Sequence, residues 1–154
     1  MRRVRQLIGL CCVWWLCCAV GNAWSSEEQI VVLVTSANTI VPQLSPIEVR
    51  KLFLGIPVIK NGQRIEPLLN QSDPLLYEVF LQKVMFMSAS GYERRLLSRT
   101  FQHGDAPLLE FSDLAALSNA LRNRPGTVSF MWEQVTRARP GLRVVQELCR
   151  NPAE

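Results

Sequence analysis

The chain of 154 residues has little cysteine outside its N-terminal stretch. Four of the 5 cysteines lie between Cys11 and Cys18, and Cys149 is the only one in the remainder of the sequence. A domain that begins after the N-terminal stretch therefore has no internal disulfide, and its apolar core has to stabilise the fold. Cys149 is interpreted as an incidental small side chain rather than a nucleophile.

Residue types that catalyse reactions or bind metals are equally scarce. The one histidine, His103, lies in the loop-like segment Gln102–Pro107 with Asp105 two residues later, and no Gly-x-Ser-x-Gly motif supplies a nucleophile. A single His and a single Cys cannot form a typical zinc site. Phosphate loops of the Gly-x-x-x-x-Gly-Lys or Gly-x-Gly-x-x-Gly kind are also missing. We therefore predict a protein that is not an enzyme and needs no cofactor or metal. The alternative hypothesis, an enzyme, depends on His103 and Asp105 alone.

The chain also lacks an excess of basic charge once its N-terminus is set aside. There are 17 Lys+Arg and 13 Asp+Glu residues, but Arg2, Arg3 and Arg5 lie at the N-terminus and all the acids follow it. Subtracting these three arginines leaves 14 basic residues against 13 acidic ones, a net charge near +1. Such a balance gives no electrostatic reason to expect nucleic acid as a partner.

The longest apolar run is confined to the N-terminus. It extends from Leu7 to Val20, and the small residues Gly21 and Ala23 stand where a signal peptidase cleaves. This run of about 14 residues is shorter than the ~20 that a membrane-spanning helix requires. Residues 1–23 are thus predicted to be a secretory signal peptide, and residues 24–154 a periplasmic domain with no membrane span after cleavage. A retained membrane anchor is the alternative.

The remainder of the sequence alternates between strand and helix patterns. The β-branched run Gln29–Thr35 predicts a central parallel strand covered on both faces. Ser45, Pro46 and Glu48 form the capping box of a short helix that ends at Gly55. Similar signals predict further elements: a hairpin at Asn61-Gly62, a helix capped by Asp73, a helix opened by a Ser90–Glu93 capping box that runs to about Phe101, a helix capped by Ser112, and strands Thr127–Trp132 and Leu142–Leu148. Together they indicate a single α/β domain.

The loop Asn70–Pro74 is the best candidate for a binding site. It precedes a predicted helix, where free N–H groups and the helix dipole attract an anion. The carboxylate of Asp73 is a competing explanation, because it can cap the helix itself and would repel a bound anion. The predicted set of ligand contacts also includes polar residues after the first strand, because open α/β sheets bind ligands beyond the carboxyl ends of their strands. The predicted ligand contacts are Gln71, Ser72, Asp73, Ser36 and Asn38.

Two other groups of residues are interpreted as structural. Arg94, Arg95 and Arg99 lie at helical spacing and predict a solvated helix face. Phe130 and Trp132 lie in an apolar strand and predict core positions.

Two motifs, in this order, carry a resemblance to a known family. "LSPIEVRKLFLG" (44–55) and "RNRPGTVSFMW" (122–132), with a hairpin and a capped helix between them, resemble the periplasmic phosphate-binding protein-like family. Its members are the solute-binding components of phosphate-type ABC importers. The resemblance implies an α/β fold corresponding to a single lobe of a type 2 periplasmic-binding-protein-like fold, with a mixed sheet flanked by helices. The length implies a small stand-alone branch.

The same resemblance implies non-catalytic recognition of a small oxyanion such as phosphate. The family's phosphate-binding helix start, an Arg followed by Ser-Gly-Thr, corresponds here to Asn70–Pro74. Only the serine of that pattern has a counterpart of the same residue type, Ser72. A second hypothesis is an interaction module that keeps the lobe, has lost the small ligand, and docks on another protein of the cell envelope.

Overall fold

The computed structural model describes residues 28–104 and 106–152. The predicted signal peptide, residues 1–23, therefore lies outside the described residues, as does Asp105. In the described part the elements are β1 Gln29–Ser36, α1 Pro46–Phe53, β2 Val58–Lys60, β3 Gln63–Asn70, α2 Pro74–Phe80, a π-helix Leu81–Met85, α3 Ala89–His103, β4 Leu109–Phe111, α4 Leu114–Asn123, β5 Thr127–Trp132, α5 Glu133–Arg137 and β6 Leu142–Asn151.

The strands form one mixed sheet in the order β2-β3-β5-β1-β6, with β4 paired to β3. β3 is parallel to both β4 and β5, whereas β1 is antiparallel to β5 and to β6. The prediction of a mixed sheet is confirmed, and the prediction that β1 is a parallel strand is wrong. A continuous β-branched run reports burial on both faces, and an antiparallel strand covered on both sides satisfies that pattern equally well.

Helices cover both faces of this sheet. Alternate residues of β1 enter different clusters: Val31 and Leu33 pack with α1, α2 and the π-helix, and Val32 and Val34 pack with α4. On the first face three aromatic rings, Phe53, Phe80 and Phe130, contact one another. The predicted core positions Phe130 and Trp132 are confirmed as buried.

The start of α1 and the hairpin follow their sequence signals. Ser45 Oγ accepts a bond from the Glu48 N–H at 3.2 Å, and Glu48 Oε2 accepts one from the Ser45 N–H at 2.7 Å. The capping box is therefore confirmed, and the helix ends at Phe53. The hairpin turn has positive φ at both Asn61 (52°) and Gly62 (75°), as an Asn-Gly type I′ turn requires.

Other helix starts differ from the predictions. α3 begins after Ser88, whose Oγ accepts a bond from the Gly91 N–H at 3.2 Å, so the predicted capping box at Ser90 is wrong. α4 is capped by Asp113, whose Oδ2 accepts from the Ala116 N–H at 2.7 Å, and not by Ser112. In both places two residues of the capping type lie close together, and local sequence does not rank them. The short strand β4 and the π-helix were not predicted.

None of the helices in the described part of the chain combines the length and the apolar character needed to cross a bilayer.

Candidate functional site

Asn70 organises the loop that was predicted to bind a ligand. It is the last residue of β3 and fully buried, and its Nδ2 donates to the Phe130 carbonyl at 2.9 Å. Its Oδ1 accepts two bonds from Ser72, from the N–H at 3.0 Å and from the hydroxyl at 2.6 Å. The Ser72 hydroxyl thus donates its proton to the protein, and the loop is fixed to the end of β5.

Asp73 occupies the N-terminus of α2. Its Oδ1 accepts from the N–H groups of Leu75 at 2.9 Å and Leu76 at 3.2 Å, which confirms its predicted role as the N-cap. Its Oδ2 accepts a bond from Trp132 Nε1 at 2.9 Å. The carboxylate therefore lies where an anion at this helix end would lie, and it bonds to the donors that an anion would use.

Gln71 is also bonded within the protein. Its N–H donates to the Phe111 carbonyl at 2.8 Å, which joins the loop to β4. Its side chain bonds to Tyr77, where burial raises the pKa of the phenol and the bond from Gln71 acts in the opposite direction. Gln71, Ser72 and Asp73, the polar cluster of this loop, are thus each hydrogen-bonded to other residues of the protein.

The space beside this cluster is small. A cavity of about 30 Å³ is lined by Asn70, Ser72, Asp73, Leu76, Leu114, Met131, Trp132 and Val135. One water needs roughly 10–15 Å³ measured in this way, so the cavity has room for about two waters. The four oxygens of a phosphate ion do not fit into that space.

Ser36 and Asn38 do not join the other predicted contacts. Ser36 ends β1 and is buried, Asn38 is exposed in the turn that follows, and the Asn38 N–H lies 3.4 Å from Ser36 Oγ. Because β1 runs antiparallel to β5, its end lies beside Thr127 at the start of β5, whereas Asn70 is bonded to Phe130. Three residues of strand separate the two ends by roughly 10 Å. Ser36 and Asn38 were grouped with the loop Asn70–Pro74 because β1 was predicted to be a parallel strand.

The remaining candidates in the described residues lie outside this loop. His103 is exposed at the end of α3, and its suggested partner Asp105 is outside the described residues. In residues 28–104 and 106–152 no group of three or more His, Cys, Asp or Glu side chains is placed to hold a metal ion. Cys149 is half-buried, and burial raises the pKa of its thiol. Arg94 and Arg95 are exposed as predicted, but Arg99 is partly buried near the Gly55 carbonyl.

A concave surface beside α3 was not predicted from the sequence. A groove of about 290 Å³ lies between α3, the end of α1 and residues 106–110. We call it the α3 groove; its lining is Leu54, Gly55, Glu93, Leu96, Leu97, Arg99, Thr100, Ala106, Pro107, Leu108 and Glu110. The sequence feature that could have indicated this surface is the pair of apolar residues Leu97 and Phe101, which lie four positions apart on one side of α3.

Comparison with known proteins shows the fold. No protein-family model and no curated protein matches the chain. Among solved structures, the chain is similar to the crystal structure of an ABC-type phosphate transport receptor from Vibrio cholerae, with a TM-score of 0.56 and 9% sequence identity. The match covers 79% of this chain and 47% of the receptor, so the chain spans less than half of the receptor's length. The predicted periplasmic-binding-protein-like single lobe is confirmed as the fold of this chain.

Proposed function

We propose that this chain is an exported, non-catalytic recognition domain whose target is a protein of the cell envelope. The observation that carries this proposal is the position of Asp73. Its carboxylate caps α2 and accepts a bond from Trp132, so the helix end that would receive a small anion already holds a negative group of the protein itself.

Electrostatics argue in the same direction. Two unit charges at 4 Å repel by about 1 kcal/mol in water and by about 4 kcal/mol near a protein surface. A phosphate at this loop would meet that repulsion from Asp73, and it would also have to break the bonds that Ser72 makes to Asn70. Recognition through a protein surface requires neither rearrangement.

A small oxyanion bound by Gln71, Ser72 and Asp73 is the second candidate function. It is favoured by the likeness of the fold to a phosphate transport receptor. It requires a bound state in which the Asp73 side chain leaves the helix terminus and the Ser72 hydroxyl turns outward.

Titration calorimetry of residues 24–154 with phosphate and sulfate separates the two functions. We expect no saturable heat from the wild-type domain at millimolar anion. The variant Asp73→Asn keeps a capping side chain and removes the charge, so a heat seen in this variant alone means that the carboxylate blocks the site. Saturable micromolar heat from the wild type that Ser72→Ala abolishes would instead establish the oxyanion function.

Export and the protein target are tested in cells. When the full chain is expressed, we expect residues 24–154 to be recovered from the periplasmic fraction, with Trp24 as the new N-terminus. Cross-linking in intact cells should then join it to a discrete envelope protein. Recovery of the uncleaved chain from the cytosol would contradict the proposal.

A further inference from the structure

The middle of the α3 groove is apolar. Leu96 and Leu97 line it on the α3 side, and Pro107 and Leu108 line it on the opposite side. Leu97 is 57% exposed, so most of its apolar surface is in contact with water. The volume of about 290 Å³ lies near the lower end of the range for ligand sites and is sufficient for a large apolar side chain. Exposed apolar surface in a concave place is typical of an interaction site.

Two carboxylates lie at one end of this groove. Glu93 and Glu110 both line it, and both are exposed. They lie near the same phenol, since burial raises the pKa of Tyr77 and the negative charges of Glu110 and Glu93 raise it further. Among the described residues neither carboxylate forms a salt bridge. This end of the groove therefore carries negative charge without a paired cation in the described part of the chain.

The arginines of α3 are directed elsewhere. Arg94 and Arg95 are exposed but do not line the groove. At about 100° per residue, they project about 100° and about 160° away from Glu93 around the helix. Arg99 lines the groove six residues further along, about 9 Å from Glu93 on the helix axis, and its guanidinium donates to the Gly55 carbonyl at 3.5 Å. The end of the groove at Glu93 is therefore suited to a cation from outside the domain.

We propose that the α3 groove binds a segment of the envelope protein target in which a large apolar side chain lies next to a lysine or arginine. The apolar side chain covers Leu97, and the cation pairs with Glu93 and Glu110. This inference rests on the proposed function, and it adds to that function a binding surface and the chemistry of the bound segment.

The charge of the groove selects between possible occupants. Phosphate, nucleic acid and the headgroups of acidic lipids would all meet repulsion from Glu93 and Glu110. A purely apolar segment would cover Leu97 and leave both carboxylates without a partner. A segment with both features satisfies the apolar and the charged part of the groove together, and such complementarity sets specificity between proteins.

Photo-cross-linking in intact cells tests the surface. The full chain is expressed with photoreactive benzoylphenylalanine in place of Leu97. A second strain carries it in place of Ile59, which is 68% exposed on β2 and does not line the groove. We expect the probe at Leu97 to capture one discrete envelope protein and the probe at Ile59 to capture none. Mass spectrometry of the captured peptide should show a large apolar residue one or two positions from a lysine or arginine.

The outcomes separate this inference from the proposed function. Capture from Ile59 and not from Leu97 would overturn the groove assignment, as would a captured peptide without a basic residue, and in both cases a protein target of the domain would still exist. The absence of capture from both positions would also overturn the groove assignment. The proposed function fails only if general cross-linking of intact cells gives no envelope partner either.

Fluorescence anisotropy of a labelled synthetic peptide that copies the captured segment tests the carboxylates. The double variant Glu93→Gln with Glu110→Gln should raise the Kd by about 5- to 30-fold, the effect of losing two exposed ion pairs. Glu78→Gln is the matched control, because Glu78 is exposed on α2 and does not line the groove, and its Kd should be that of the wild type. Added salt should raise the Kd of the wild type more than that of the double variant. Circular dichroism checks that each variant is folded, and equal Kd values for the wild type and the double variant would overturn the proposal.

Discussion

Asp73 links two parts of the molecule through one carboxylate. One oxygen caps α2, and the other accepts the Trp132 N–H at 2.9 Å at the end of β5. Trp132 is only 5% exposed, so its N–H has little access to water if the carboxylate is lost. An unpaired buried donor is costly, and Asp73 therefore stabilises more than its own helix.

We expect Asp73→Ala to lower the free energy of unfolding by about 2–4 kcal/mol, the sum of a lost cap and an unpaired tryptophan N–H. Asp113→Ala is the matched control, because Asp113 caps α4 through a bond from the Ala116 N–H, and within residues 28–104 and 106–152 its carboxylate accepts no bond from a tryptophan. It should lower the free energy by about 1 kcal/mol. Urea unfolding followed by circular dichroism measures both, and equal losses would show that the Trp132 bond adds nothing.

Glu48 makes the stability of the domain depend on pH. The bond from Lys60, followed by the bond from the Ser45 N–H, lowers the pKa of Glu48 from 4.5 to about 2. A lowered folded-state pKa means that the stabilisation is complete above the unfolded-state pKa and is lost as pH falls through the folded-state value. The wild type should thus melt above Glu48→Gln at neutral pH, and the difference should disappear between about pH 4.5 and 2.

Thermal unfolding from pH 7 to pH 2 provides this measurement. Gln at this position keeps the capping box, so the variant removes only the charge. In a Lys60→Met background the largest cause of the shift is absent, so the difference between the protein with Glu48 and its Glu48→Gln variant should be smaller at neutral pH and its loss should be complete at a higher pH. A difference in melting temperature that stays constant with pH would contradict the assignment.

The residues of the candidate site could be predicted only in part. Asp73 as a cap follows from its place before Pro74, because a proline at the first helical position and an acid before it are both local signals. The bonds from Asn70 to Phe130 and from Trp132 to Asp73 span 60 and 59 positions in sequence. No local pattern reports contacts at that separation, so the bonds that join Asn70 to Phe130 and Asp73 to Trp132 could not be predicted from the sequence.

At the scale of elements, the junction after the π-helix is conformationally unusual. Phe86 has a φ of 57°, in the left-handed region, and its ring is 70% exposed beneath the Arg50 guanidinium, 5.4 Å from the centroid. A residue with a Cβ pays roughly 1–2 kcal/mol for that backbone conformation. This turn could not be predicted from the sequence, because glycine or asparagine is the usual residue at such a helix end.

We expect Phe86→Gly to be more stable than Phe86→Ala by about 1 kcal/mol, since both variants remove the ring and its contact with Arg50 and only glycine avoids the left-handed strain. Ala116→Gly within α4 is the control in which glycine should have the opposite effect. This variant should be less stable than the wild type by about 0.5–1 kcal/mol. Urea unfolding gives all the values. Equal stability of the two Phe86 variants would mean that this junction relaxes.

At the scale of the whole molecule, strand direction was the main feature that the sequence did not reveal. The length and β-branched composition of Gln29–Thr35 indicated a buried strand, and β1 is buried on both faces. Its direction depends on pairing with β5 and β6, more than 90 positions away. Ser36 and Asn38 were consequently assigned to the wrong end of the sheet, whereas the mixed α/β class depended only on the order of the elements and was predicted correctly.

The hydrophobic clusters on the two faces of the sheet share its strands. This arrangement predicts a single cooperative unfolding transition. Phe53 belongs to the cluster beneath α1, Leu121 belongs to the cluster beneath α4, and neighbouring residues of β1 contribute to both. Loss of either cluster exposes one face of the same strand, so neither face should remain folded alone. This architecture connects the stability of α4 to that of the loop that contains Asp73.

We expect Phe53→Ala and Leu121→Ala each to lower the free energy of unfolding by about 2–5 kcal/mol. Each should also shift the circular dichroism transition and the Trp132 fluorescence transition by the same amount, because both probes report one event. A Trp24→Phe background leaves Trp132 as the only tryptophan of residues 24–154. If Leu121→Ala moved the dichroism transition and left the fluorescence of Trp132 in place, the two faces would unfold separately, because Trp132 packs in the cluster of Phe53.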